Sequence, residues 1–87
     1  MNTVRAKFTV MSITRTQSTV WKDGKTEPQE VQTVKLYPVC GNSDENKKFF
    51  ASTPTGSIEL ATINLEAAAV FKLNEEYYVD FTPATPA

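Results

Sequence analysis

The chain has 87 residues, 40% of them hydrophobic and 22% charged, and nine Lys and Arg against ten Asp and Glu leave a net charge of -1. That composition describes one small folded core, too short for two lobes with a cleft between them and too near neutral to bind polyanions over its whole surface. There is no histidine and a single cysteine, Cys40, which excludes a Ser-His-Asp triad, a Cys-His dyad, imidazole-based metal sites and an internal disulfide.

From the N-terminus, Val4, Ala6, Phe8 and Val10 alternate with Arg5, Lys7 and Thr9, the period-two pattern of a strand with one buried face and a basic outer one. Met11 and Ile13 then fall on the other parity, so a bulge or sharp bend is expected near Met11-Ser12. Ser18 to Lys22 forms a second short strand centred on Val20 and Trp21. Asp23-Gly24 follows, a dipeptide suited to a tight turn. Lys25 to Gln29 is polar, contains Pro28 and reads as a loop. Glu30 to Val39 is the third strand, with Val34 and Leu36 on one face and Val31, Thr33, Tyr37 and Val39 on the other; Pro38, which has no amide hydrogen, must lie at an edge or at the strand's end.

Cys40 reads as a small core or turn residue. Asn42 or Ser43 caps a helix whose first turn holds Asp44 and Glu45 and whose last holds Lys47 and Lys48, with Phe49 or Phe50 turned inward. Thr53-Pro54-Thr55-Gly56 ends it. Ser57 to Ile63 is a strand with Ile58 and Leu60 inward and Glu59 outward. Asn64 caps a short helix over Leu65 to Phe71, and Asn74 sits where a left-handed backbone reverses the chain. The last strand, Glu76 to Thr82, puts Tyr77, Val79 and Phe81 on one face and Tyr78 and Asp80 on the other.

This order predicts a mostly-β (α+β) fold: a small, five-stranded, OB-like antiparallel barrel with a helix between strands 3 and 4 and a second short helix before the last strand. Residues 1–82 form a single domain and 83–87 a C-terminal tail. The competing fold is a small α+β sheet with one helix packed on its face. The longest apolar stretch, Ala67 to Phe71, is far short of the roughly 20 residues that span a bilayer, and neither a leader nor a CxxC pair is seen. A cytoplasmic protein without membrane, metal or cofactor is expected.

Charge is unevenly spread. Residues 1–25 hold Arg5, Lys7, Arg15, Lys22 and Lys25 against Asp23, while the remainder holds four lysines against nine acids. Either the molecule has two faces of opposite sign, or the last strand pairs with the first and the charges interleave.

Three stretches, Val4-Arg5-Ala6-Lys7-Phe8, Glu45-Asn46-Lys47-Lys48-Phe49-Phe50 through Thr53-Pro54-Thr55-Gly56-Ser57, and Glu76-Tyr77-Tyr78-Val79-Asp80-Phe81, resemble a family of small uncharacterised proteins of tailed bacteriophages. The resemblance spans most of the chain. It implies a viral source and a host-cytoplasm or virion location, and it carries over no catalytic or binding residue.

Among constellations with chemical content, the acids are scattered over loops and outer strand faces, with no carboxylate pair set across a cleft. Gly24, Gly41 and Gly56 are too far apart for a phosphate-cradling loop. Basic and aromatic residues remain as a candidate binding surface: Arg5, Lys7, Arg15, Trp21, Lys22, Lys25, Tyr37, Lys47, Lys48 and Tyr78. A basic groove with aromatic platforms is how single-stranded nucleic acid is held, yet Phe8 belongs to a buried parity and a pI of about 5.3 is low for such a module. Trp21, beside the turn, is either partly exposed or a plug at the barrel's end. The expectation is therefore a non-enzymatic phage accessory protein acting by binding: a protein-interaction module that joins an assembly, associates with itself or inhibits a host protein. A single-stranded nucleic-acid binder is the alternative, and an oligomer that sequesters a small ligand a further one.

Overall fold

The computed structural model describes residues 3–41, 43–51 and 55–85. Strands β1 (Val4–Lys22) and β2 (Lys25–Pro38) form one long hairpin, followed by helix α1 (Asp44–Phe50), strand β3 (Ile58–Thr62), helix α2 (Leu65–Ala68) and strand β4 (Glu76–Phe81). All pairings are antiparallel, in the order β3-β2-β1-β4. Among the described residues no helix is long and apolar enough to cross a membrane.

The expected five-stranded closed barrel is thus corrected to an open sheet of four strands with two short helices, α1 lying between the second and third. The two N-terminal strands read from the sequence are one strand of 19 residues. The stretch between them, Thr14 to Gln17, lacks apolar alternation, but its threonines favour the extended backbone and pair across the hairpin, Thr14 with Thr33 and Thr16 with Val31. Lys25 to Gln29, expected as a loop, is the start of β2. Pro28 fits there because it faces Thr19, three steps from the turn pair Lys22–Lys25, where strand amides point away from the partner. Asp23 and Gly24 both have positive φ, 51° and 76°, as a two-residue hairpin turn of right-handed twist requires.

The expected bulge falls between Val10 and Ser12: Val10 faces Leu36, Ser12 faces Lys35, and Met11 is the extra residue. It keeps Ile13 on the core face despite the change of parity. That core face is built from Ala6, Phe8, Val10, Val34 and Leu36, all buried, with Ile13, Phe50, Ile58, Phe71, Tyr77 and Val79 packed against it.

β2 ends at Pro38, which leaves the edge of β1 around Lys7 without a strand. Helix α1 fills the gap. Its buried Asn46 accepts from the Lys7 backbone N–H at 2.6 Å and donates to the Lys7 and Val39 carbonyls at 2.8 and 3.0 Å. The helix starts at Ser43, whose Oγ accepts from the Asn46 N–H, and ends at Ala51 in the left-handed region at φ 62°. Phe50 turns to the core and Phe49 outward, while the alternative cap Asn42 and the expected stop at Thr53-Pro54 lie outside the described residues.

α2 is one turn, shorter than the Leu65 to Phe71 expected, and Asn64 caps it through Oδ1 to the Ala67 N–H. Ala68 and Phe71 turn inward, and the Tyr77 hydroxyl donates to the Val70 carbonyl at 2.8 Å while accepting from the Lys72 N–H. Asn74 takes the expected left-handed conformation, φ 68°, and its N–H donates to the Val10 carbonyl. Cys40 is exposed at the bend after β2.

Past Arg15 and Gln32 the two long strands pair only with each other. Residues Thr16 to Lys22 and Lys25 to Val31 make a two-stranded ribbon, roughly 23 Å long at about 3.3 Å per residue. It gives the molecule extents of 52 × 35 × 19 Å and a radius of gyration of 16.5 Å. A compact chain of this length would have a radius near 12 Å.

Candidate functional site

The candidate residues fall into two separate groups. Arg5 and Lys7 on β1, Tyr78 on β4 and Tyr37 on β2 share the sheet's outer face, near Lys47 and Lys48 of α1. Arg15, Trp21, Lys22 and Lys25 lie on the ribbon.

On the outer face the first strand meets the last, so charges interleave. Arg5 donates from Nε and Nη2 to the two carboxylate oxygens of Asp80 at 2.7 and 3.0 Å and lies over the Tyr78 ring, 4.6 Å from its centre. The hydrogen bond to Asp80, and then its charge, hold the Arg5 guanidinium above its ordinary range; the same hydrogen bond holds the Asp80 carboxyl below its own. Lys7 sits between Glu45 and Glu76 at 3.9 and 3.8 Å and also faces the Tyr78 ring. Lys35 pairs with Glu59 on β3. Arg5, Lys7 and Lys35 on the outer face are thus each engaged by carboxylates.

At the base of the ribbon Arg15 forms a two-bond fork with Glu30, at 3.1 and 3.0 Å, and Gln32 adds a bond to the same carboxylate. The fork raises the Arg15 guanidinium, and the bonds from Arg15 and Gln32 lower the Glu30 carboxyl. The core face of the sheet continues past Ile13 as Arg15, Gln17, Thr19 and Trp21, so hydrophobic burial stops at the ribbon's root. Trp21 stands near its tip, 71% exposed and flanked by the turn lysines. Of its two expected states it is exposed, not a plug.

Sequence reasoning missed two features. The sheet curls so that the core faces of its two edge strands line a common apolar groove of about 570 Å³, including Leu36, Ile58, Leu60, Val70, Val79 and Phe81. Leu60, Val70 and Phe81 are largely exposed within it. The alternations in Ser57–Ile63 and Glu76–Thr82 signalled the inward side of each strand, but not that the two would face one another across an open seam. Asn46 was missed as well, because nothing local marks a helix asparagine that serves a strand edge.

Chemically the arrangement offers shape, a tryptophan exposed on a projecting ribbon and an apolar groove. Among the described residues no three Cys, Asp or Glu side chains gather at one place. Comparisons with protein-family models, curated proteins and solved structures return no match.

Proposed function

We propose that the protein acts by binding another protein surface, with the ribbon as its reaching element. The observation that carries this reading is the ribbon itself: it holds no core, and a two-stranded hairpin alone is marginal in water. Such an arm, bearing an exposed tryptophan, gains its compensating burial from a docked surface, where tryptophan is a preferred anchor. The single-stranded nucleic-acid alternative loses support from the ion pairs. Arg5, Lys7 and Arg15, three of the cations it relies on, are each engaged by carboxylates. The likeness to small tailed-phage proteins adds a viral source and action in the host cytoplasm or the virion to the proposal.

A photoreactive phenylalanine analogue in place of Trp21 tests it in producing cells. A protein adduct is expected at position 21, absent when the analogue replaces Thr82 instead. Nucleic-acid adducts at position 21, together with co-elution with single-stranded DNA that fades as salt rises, would overturn the reading.

A further inference from the structure

Resting on the protein-binding reading, we propose that the ribbon's partner is a second copy of this chain: the Trp21 tip of one copy seats in the apolar groove of the next. The molecule has a largely exposed tryptophan on a projecting ribbon and an apolar groove whose Leu60, Val70 and Phe81 are largely exposed. They cannot meet within one chain. Trp21 lies eleven residues along β1 from Val10, the partner of Leu36 on the groove wall, which is roughly 35 Å of extended strand. The groove is large enough for an indole ring and is lined by flexible aliphatic and aromatic side chains.

The charges left over by the ion pairs agree with this pairing. On the elements around the groove, from β3 through α2 to β4, Glu59, Glu76 and Asp80 are engaged by Lys35, Lys7 and Arg5, which leaves Glu66 and Glu75 against Lys72. The ribbon tip carries Lys22 and Lys25 on either side of the turn against Asp23 within it, and neither lysine forms an ion pair among the described residues. A tip with two lysines against one acid, brought to a groove with two acids against one lysine, therefore meets charge of the opposite sign. Since tip and groove are different patches, the contact is head-to-tail and propagates into rings or chains.

The test is light scattering and sedimentation on the whole chain, on Trp21→Ala, on Val70→Glu and on an equimolar mixture of the two variants. Both sites are exposed, so the variants keep the wild-type far-UV circular dichroism. Wild type is expected to form concentration-dependent assemblies above the 9.7 kDa of one chain, with tryptophan emission shifting to the blue as they form. Each variant alone should dissociate with a constant raised about 30-fold or more, as for an anchor residue. The mixture should regain dimers and stop there, because the intact tip of Val70→Glu enters the intact groove of Trp21→Ala. A wild type monomeric to about 1 mM, single variants that assemble like wild type, or a mixture no larger than its components would each overturn self-docking. A monomeric wild type that still gives a position-21 adduct to a different protein would leave the protein-binding reading intact. Absence of both would remove the two together.

Discussion

Asn46 shows how much of this fold hangs on one amide. The β1 edge at Lys7 loses its strand neighbour where Pro38 ends β2, and the Asn46 side chain replaces that neighbour with one accepted and two donated hydrogen bonds. Replacing it by leucine, similar in size and apolar, would orphan the part-buried Lys7 N–H and remove one bond to the Val39 carbonyl. The expected cost is about 2–3 kcal/mol, a fall in melting temperature of more than 10 °C for a domain this small, and an Asn46→Leu chain melting within 3 °C of wild type would contradict it. This role was not legible from sequence, since a helix-interior asparagine looks like any exposed polar residue. By contrast Ser43, Asn64, Asn74 and Asp23-Gly24 were legible, because caps and turns select residue types by local backbone geometry alone.

Among the elements, the hairpin departs furthest from its sequence pattern. Alternation located Val4 to Val10 and the bulge after it, since burial imposes the period, but beyond Ile13 neither face is buried and no period remains to be read. There the extended state rests on β-branched residues, the turn and the Arg15–Glu30 fork, signals that depend on a partner strand fifteen residues away. A ribbon held this way contributes little to the body. Deleting Gln17–Lys22 and Lys25–Glu30 removes an equal, even number of residues from each strand, so Thr16 and Val31 come to flank Asp23-Gly24 with faces and pairing preserved. The shortened chain is expected to melt within about 1 kcal/mol of wild type and to lose all association; loss of folding would show instead that the ribbon is part of the core.

For the whole molecule, the open seam explains why a barrel was expected and is not formed. β1 does pair twice, with β2 over Phe8–Lys22 and with β4 over Val4–Thr9, as a small barrel's first strand does. With four strands, however, the curl brings the edge strands to either side of a groove instead of into a ladder. The residue left unburied by that shortfall is the apolar lining of the groove, and the excess length of β1 and β2 emerges as the ribbon. One departure from a closed fold thus supplies both halves of a contact, and the interleaved charges of the outer face leave that contact, not the sheet surface, as the place for recognition.

The most direct measurement is amide hydrogen exchange on the wild-type chain at low and high concentration. At low concentration the ribbon amides of 16–22 and 25–31 should exchange far faster than those of Ala6, Phe8 and Val34 in the body, since local opening of the ribbon exposes no core. At high concentration protection should rise together in the ribbon and in the groove segments 58–60, 70–71 and 79–81, and stay unchanged in α1. A ribbon as protected as the body at every concentration, or one that gains protection while the groove does not, would contradict the account.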